Sequence, residues 1–186
     1  MTPETDTRTA SPKVSIVIKT LNEGANIAAA IESALDALSG LQGEVIVADS
    51  GSDDGTVEIA ARYPVTIVRM RNVLDRGCGA GAQLGYQVSR GEFVYLLDGD
   101  MTLCRPFLAP ALAALEADQR LAGVGGLLRH RNLRTREFRL RAARRPQHLD
   151  AGVVDRLDGG GLFRRAAIED VGYLADRNLH SFEELE

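Results

Sequence analysis

The chain has 186 residues, 45% of them hydrophobic and 26% charged, which is ordinary for a soluble globular domain. Its net charge of −4 argues against a general nucleic-acid-binding protein, and its two cysteines fit neither a disulfide framework nor paired CxxC metal sites. The chain lacks an apolar stretch long enough to cross a bilayer and, in its first residues, the apolar core of a signal peptide. We therefore expect a cytoplasmic protein, with residues 1–12 forming a disordered leader.

The first half of the chain alternates between β-rich runs and segments of helical period. "KVSIVIKT" predicts a strand buried on both faces, and "ANIAAAIESALDAL" predicts a helix because its isoleucines and leucines recur at helical spacing. "EVIVADS" predicts a second strand, "VEIAARY" a second helix and "VTIVRM" a third strand.

The same alternation continues to residue 121. "GAGAQLGYQVS" predicts a helix, "EFVYLLD" a fourth strand, "RPFLAPALAALEAD" a helix with Pro106 in its first turn, and "LAGVGGLL" a fifth strand. This order predicts one α/β domain with a parallel sheet and right-handed crossovers. Ligands of such sheets bind outside the carboxyl ends of the strands, where "TLNEG", Asp49 and the pair Asp98 and Asp100 are expected.

Each of these motifs has two interpretations when it is taken alone. "LDGD" is either a turn or a site for a divalent cation, which prefers carboxylate oxygens. "VADSGSDDGT" is either a loop or a group that binds a base or ribose through Asp49. The glycines of "RGCGAGAQLG" indicate either close helix packing or a flexible approach to a diphosphate through Arg76. "FEELE" is either a solvated helix start or the source of a general base.

Taken in order, the motifs "VSIVIKTLNEGANI", "EVIVADSGSDDGT", "RGCGAGAQLGYQVSRGEFVYLLDGDM", "GGGLFRRAAIEDVGYL" and "FEELE" resemble the family-2-type glycosyltransferases of the GT-A fold. The resemblance runs from about Val14 to Glu186. It implies a single GT-A-type α/β domain over residues 13–186, with a mostly parallel central sheet and helices on both faces. Residues 13–101 would form the nucleotide-sugar-binding half and residues 102–186 the acceptor-side half.

The resemblance also implies roles for particular residues. Thr20, Asn22 and Glu23 match the first nucleotide-contacting loop, Asp49 matches the aspartate that reads the base, and Arg76 lies in the basic loop beside the donor. Asp98 and Asp100 match the metal-associated DxD pair, with Asp98 towards the ribose and Asp100 on Mn²⁺ or Mg²⁺. Glu183 and Glu184 match the acidic doublet that supplies the catalytic base, for which we favour Glu184.

The sequence departs from the family pattern in two places. The doublet is Glu-Glu where aspartate is common at the second position, and the chain stops at Glu186 where similar enzymes continue. We therefore expect that the domain continues beyond Glu186 in a longer protein.

Eight arginines fall between Arg129 and Arg145, so the rest of the chain is markedly acidic. Such a run is either a solvated face or a surface for an anionic partner. In the family this segment borders the acceptor, so we hypothesise a phosphorylated or lipid-linked acceptor and peripheral contact with the inner face of the membrane through Arg129–Arg145.

The resemblance implies an inverting, metal-dependent glycosyltransferase that moves a sugar from a nucleotide-diphosphate sugar to an acceptor hydroxyl. A non-catalytic nucleotide-sugar-binding module is the alternative from another class. A nucleotidyltransferase is less favoured, because "TLNEG" is not the basic, glycine-rich loop which that class carries after its first strand.

Overall fold

Six strands and five helices form the part of the chain that the computed structural model describes, which is residues 11–127, 152–154, 157 and 160–175. The strands are β1 (Val14–Thr20), β2 (Gly43–Asp49), β3 (Thr66–Arg69), β4 (Phe93–Asp98), β5 (Gly123–Gly125) and β6 (Gly161–Arg164). The helices are α1 (Ile27–Ala37), α2 (Thr56–Ala60), α3 (Cys78–Val88), α4 (Leu108–Ala117) and α5 (Arg165–Val171). Short 3₁₀ turns cover Val73–Asp75 and Arg105–Phe107.

The strands form one sheet in the order β3-β2-β1-β4-β6-β5. Strands β1 to β4 are parallel to one another, as the alternation of strands and helices predicts. Strand β6 lies between β4 and β5 and runs antiparallel to both. The sheet is therefore mostly parallel, and the carboxyl ends of β1, β2 and β4 meet at one edge.

Helices cover both faces of this sheet, as predicted. Ile16 and Ile18 of β1 are fully buried in a cluster that includes residues of α1 and α4, whereas Val17 faces a second cluster with Tyr86 of α3 and Ile168 of α5. This division follows from the period-2 alternation of side chains along a strand. Burying an aliphatic side chain of this size contributes about 1.5–3 kcal/mol, so the buried residues of β1 stabilise the core from both faces of the sheet.

Helix α3 approaches the sheet very closely because of its glycines. A Cβ atom on Gly85 would overlap Val17 Cγ1 and lie 3.2 Å from Ala48 Cβ. One on Gly81 would lie 3.1 Å from Ser50 Oγ. Close helix packing, one of the two interpretations of "RGCGAGAQLG", therefore accounts for these two glycines.

The structure differs from the predicted elements in three places. Helix α2 ends at Ala60 rather than continuing to Tyr63, and backbone turns lead into Pro64. The segment around Pro106 begins as a 3₁₀ turn before α4. The sequence pattern did not predict β6 and α5, because "GLFR" is too short and too mixed in polarity to stand out as a strand. None of the helices in the described residues is both long enough and apolar enough to cross a membrane.

Candidate functional site

A pocket of about 420 Å³ opens at the carboxyl ends of β1 and β4. Its wall combines the end of β1 and the loop that follows, Ser50 after β2, the turn that enters α3, and the end of β4. Five of the predicted site residues line it, namely Thr20, Glu23, Arg76, Asp98 and Asp100. The sheet thus brings together residues that are up to 80 positions apart in sequence, as the rule for parallel sheets predicts.

The end of β4 carries the Asp-Gly-Asp motif. Asp98 is half-buried, and its Oδ1 lies 3.1 Å from Lys19 Nζ, which is its register partner on β1. Burial raises the pKa of the Asp100 carboxyl above its ordinary value of 3.8, and the nearby negative charge of Asp98 adds to this effect. The two acids therefore differ, because Asp98 is paired with a cation and Asp100 carries a charge that its surroundings disfavour.

Gly99 allows the close approach of the β4 end to the loop after β1. Its N–H donates to the Lys19 carbonyl oxygen at 2.9 Å. A Cβ atom at this position would lie 2.9 Å from Thr20 Oγ1 and 3.0 Å from Glu23 Cγ. A larger residue would therefore push the two halves of the pocket wall apart.

Glu23 is held between two loops and faces the acids of β4. Its N–H donates to Thr56 Oγ1 at 2.9 Å, and its Oε2 accepts a hydrogen bond from Asn26 Nδ2 at 2.7 Å. Burial raises the pKa of Glu23 above its ordinary value of 4.5, and the charges of Asp100, Asp54 and Asp98 act in the same direction. The pocket thus contains three carboxylates that repel one another.

Asn22 joins the loop after β1 to the loop after β2 and does not line the pocket. It adopts a left-handed conformation with φ of +57°, which asparagine tolerates better than most residues. Its N–H donates to Ser52 Oγ at 2.8 Å, and its Oδ1 accepts from the Asp53 N–H at 3.0 Å. In this structure Asn22 therefore fixes the relative positions of the two loops.

Asp49 is completely buried behind the pocket wall. Its Oδ2 accepts hydrogen bonds from the N–H groups of Gly51 and Ser52 at 2.9 and 3.0 Å, and from Arg69 Nε at 3.1 Å. The carboxylate thus orders its own loop. The role in reading a base, which the family resemblance implies, stays a prediction.

Arg76 lies on the side of the pocket formed by the turn into α3. Its Nε donates to the Ser50 carbonyl oxygen at 3.0 Å, and its Nη2 donates to the Gly51 carbonyl oxygen. These bonds hold a positive charge at the pocket wall, close to where α3 begins at Cys78.

Thr20 contributes an unsatisfied polar atom. The residue is only 5% exposed, and its Oγ1 is the one buried side-chain oxygen or nitrogen in the described part of the chain without a hydrogen-bond partner. A buried hydroxyl without a partner costs about 1–3 kcal/mol. A polar atom of a ligand in the pocket would remove this cost.

The acids of the pocket are suited to a metal ion that arrives with a phosphate ligand. Within residues 11–127 and the shorter described segments, no group of three or more His, Cys, Asp or Glu side chains has the geometry to hold a metal ion. Mg²⁺ and Mn²⁺ commonly use one or two carboxylates together with substrate phosphates. Asp98 and Asp100 provide such a pair, so the donor set fits a cation shared with a diphosphate.

The pocket wall also contains residues that the sequence did not assign to a site, among them Lys19 and Ser50. Lys19 resembles an ordinary polar residue near the end of a strand. Its position directly after an apolar run nevertheless indicates a site, because a lysine that is buried there needs a partner for its charge. The sequence pattern predicts Ser50 at the end of the second strand, whereas it follows β2 in the structure. The predicted residues Glu183 and Glu184 and the segment Arg129–Arg145 lie outside the described residues.

Comparison with known proteins gives a consistent result. The family model described as glycosyl transferase family 2 matches residues 15–172, which is most of the chain. This match confirms the family resemblance inferred from the order of the motifs.

Two known glycosyltransferases are similar to about half of the chain. A dolichol-phosphate mannosyltransferase from Pyrococcus furiosus is 30% identical over 93 residues, which cover 48% of this chain and 26% of that protein. A glucosyl-3-phosphoglycerate synthase from Mycobacterium tuberculosis is 30% identical over 114 residues, which cover 59% of this chain and 35% of that protein.

Among solved structures, the mannosyltransferase PcManGT from Pyrobaculum calidifontis, in complex with GDP-Man and Mn²⁺, superposes with a TM-score of 0.71 and 24% identity. The superposition covers 95% of this chain and 51% of the mannosyltransferase. At this identity the likeness establishes the fold alone. The chain spans between 26% and 51% of the lengths of these three proteins.

Proposed function

The chain belongs to glycosyl transferase family 2, and from that premise we propose that it transfers a hexosyl group from a nucleotide-diphosphate sugar to an acceptor hydroxyl. The observation that carries the proposal is the pocket at the carboxyl ends of β1 and β4, which is lined by Arg76 and Lys19 together with Asp98 and Asp100. Cations suited to a diphosphate and carboxylates suited to its counterion lie in one cavity.

Each residue of the pocket has a proposed task toward the donor. Arg76, held by the carbonyl groups of the loop after β2, binds diphosphate oxygens. Thr20 gives its unsatisfied hydroxyl to the nucleotide, and Asp98 points towards the ribose. Asn22 and Glu23 belong to the loop that contacts the nucleotide, and Asp49 reads its base. The hydrogen bonds of these three residues also hold the two loops that border the donor.

We assign Asp100, assisted by Asp98, as the residues that hold Mn²⁺ or Mg²⁺. When bound, the ion neutralises the negative charge that develops on the leaving diphosphate. The solved mannosyltransferase with a similar fold is a complex with both GDP-Man and Mn²⁺, which agrees with this assignment.

The reaction is a single displacement. The acceptor oxygen forms a bond to the anomeric carbon while the bond between that carbon and the diphosphate breaks, so the configuration inverts. The acceptor proton passes to the carboxylate of Glu184, beside which Glu183 completes the acidic doublet. The nucleoside diphosphate then leaves the pocket.

For the acceptor we propose an anionic molecule, either phosphorylated or lipid-linked. Two supports are the eight arginines of residues 129–145 and the names of two relatives, which specify dolichol phosphate and phosphoglycerate. Phosphate groups pair with clustered arginines through charge-assisted hydrogen bonds.

The test is a panel of UDP- and GDP-sugars incubated with the protein and Mn²⁺, with neutral and phosphorylated acceptors. We expect binding of at least one donor and release of its nucleotide, faster with a phosphorylated acceptor. Asp100→Ala should reduce release at least about 100-fold, because a metal-held charge contributes several kcal/mol in the transition state. Asp36→Ala, which changes an exposed acid of α1, is the matched control and should leave release unchanged.

Two results would contradict the proposal. Donor binding without nucleotide release under every acceptor condition would indicate a nucleotide-sugar-binding module. An absence of binding to any member of the panel would remove the donor assignment itself.

A further inference from the structure

Lys19 is a cation built into the floor of the pocket. It occupies the penultimate position of β1, its side chain is only 12% exposed, and it lines the cavity. Its Nζ lies 3.1 Å from Oδ1 of Asp98, the residue opposite it on β4. A largely buried ammonium needs such a partner, and the parallel register of the two strands supplies it.

The surroundings of Lys19 are favourable to a second anion. Gly81 in the first turns of α3 packs against the Lys19 stem, since a Cβ atom there would lie 3.5 Å from Lys19 Cβ. Helix α3 has 11 residues and begins at Cys78 in the pocket wall, where its N–H groups and dipole favour negative charge. The guanidinium of Arg76, anchored by Ser50 and Gly51, lies on the same wall.

An independent observation points to a ligand at this place. Thr20 follows Lys19 directly, lines the same cavity, and carries the buried Oγ1 that has no partner in the described part of the chain. Two cations, a helix start and an unsatisfied hydroxyl thus border one space. This set suits a ligand with several oxygen atoms and a negative charge.

We propose that Lys19 binds the diphosphate of the donor directly, so that nucleoside diphosphates bind to this protein even without a divalent metal ion. The inference rests on the donor class of the proposed function and adds a residue that the family resemblance did not assign. An ammonium has three N–H donors, so it can keep its ion pair with Asp98 while it donates to a phosphate oxygen.

The ion pair also gives Lys19 an opposite effect on a metal ion. In the nucleotide-free protein its charge repels a cation and occupies an oxygen of Asp98. Removing the charge should therefore weaken nucleoside diphosphate binding but strengthen Mn²⁺ binding. A purely structural role would weaken both.

The experiment is calorimetric titration of UDP and GDP into the protein in excess EDTA, together with Mn²⁺ titration of the nucleotide-free protein followed by electron paramagnetic resonance. We expect Lys19→Met to lower nucleotide affinity in EDTA roughly 10- to 100-fold, the effect of losing a hydrogen bond to a charged group. The same variant should bind Mn²⁺ more tightly than the wild type. Lys19→Arg should retain most of the nucleotide affinity.

Lys13→Met is the matched control, because Lys13 precedes β1 at the opposite end and pairs with Glu92 and Glu116 at 2.8 and 2.9 Å. It should change neither titration. If Lys19→Met does not fold, as judged by circular dichroism, Lys19→Gln takes its place.

Equal nucleotide affinity of the wild type and the Lys19 variants in EDTA would overturn the inference. Binding by the wild type only with Mn²⁺ would overturn it while leaving the proposed function intact. Loss of nucleotide binding in Lys19→Arg as well as in Lys19→Met, with weaker Mn²⁺ binding, would assign Lys19 a structural role instead. No binding under any condition would contradict the proposed function itself.

Discussion

The polar residues at the two ends of the central strands differ in how well their hydrogen bonds are satisfied. At the amino end, Ser15 Oγ donates to Glu44 Oε1 at 2.7 Å, and Glu44 also accepts hydrogen bonds from the N–H and guanidinium of Arg90. Ser15 Oγ accepts from the Gly91 N–H at 2.8 Å. Burial alone would raise the pKa of Glu44, but these hydrogen bonds outweigh it and hold the pKa below its ordinary value.

At the carboxyl end, burial and mutual repulsion raise the pKa values of Glu23 and Asp100 instead. Thr20 Oγ1 is left without a partner there. At the amino end, the polar residues of these strands have their hydrogen bonds satisfied and stabilise the fold. At the carboxyl end, some polar groups lack hydrogen-bond or charge partners in the described part of the chain. We infer that a ligand completes the second set.

Asp49 lies at the carboxyl end, but its carboxylate is hydrogen-bonded as fully as the polar residues of the amino end. Asp49→Ala removes an acceptor of two buried backbone N–H groups and the partner of Arg69. We expect it to lower the free energy of unfolding by about 3 kcal/mol, the cost of leaving such groups unpaired. Urea denaturation followed by circular dichroism measures this loss.

The control for Asp49 is Asp53→Ala, which changes an exposed acid of the same loop. It should alter the free energy of unfolding by no more than about 0.5 kcal/mol. A loss below about 1 kcal/mol in Asp49→Ala would show that the partners of the carboxylate contribute little.

Ser15→Ala tests the amino end. The change leaves the buried N–H of Gly91 without its acceptor, so we expect a loss of about 1–2 kcal/mol in the free energy of unfolding. UDP and GDP affinities should stay as in the wild type, since Ser15 lies at the opposite end of β1 from the pocket. Weaker nucleotide binding without a loss of stability would contradict the assignment of stability to the amino end and ligand binding to the carboxyl end. Ser39→Ala, which changes an exposed serine, is the control.

The smallest expected effect is that of Asp100→Asn in the nucleotide-free protein. Because the folded pKa of Asp100 is raised, the ionised carboxylate destabilises the fold near neutral pH, and this penalty disappears as the pH falls through the folded pKa. We expect the variant to be more stable by about 0.5 kcal/mol at pH near 7.5, a value reduced by solvent screening.

The stabilising effect of Asp100→Asn should shrink as the pH approaches 3.8, the ordinary pKa of the carboxyl. Denaturation by urea at pH about 7.5 and about 4.5 compares the two proteins. A variant that is less stable than the wild type at both values would show that the Asp100 charge is well compensated in the free protein.

Long apolar runs made the first four strands predictable. β1 to β3 are rich in β-branched residues, β4 is rich in aromatic residues and leucine, and all four alternate with helical segments, so local preference and burial indicate the same structure. Strand β6 is different, because only Leu162 and Phe163 are apolar and its place in the sheet depends on pairing with β4 and β5. A local sequence pattern does not indicate pairing between strands that lie far apart in the chain.

The position of the site in the fold was predictable from the sequence, but several contacts of its residues were not. The sheet rule placed Thr20, Glu23, Asp98 and Asp100 at one edge, and the structure brings them into one pocket with Arg76, which the family resemblance assigned to the donor. The burial of Asp49 was not foreseen, since it depends on the way its loop turns back over the carboxylate. The pairing of Lys19 with Asp98 required the register between two strands far apart in the sequence.

The position of β6 has a consequence for the order in which the protein is made. β6 lies between β4 and β5 in space but follows both along the chain. The outer edge of β4 must therefore stay unpaired in a growing chain until residues 161–164 leave the ribosome, and open edges promote association between chains. The lining of the pocket in the described part of the chain, by contrast, comes from residues between Lys19 and Asp100. A nascent chain that ends after α4 would already contain these lining residues, and a ligand bound among them would stabilise it while the edge of β4 is still unpaired.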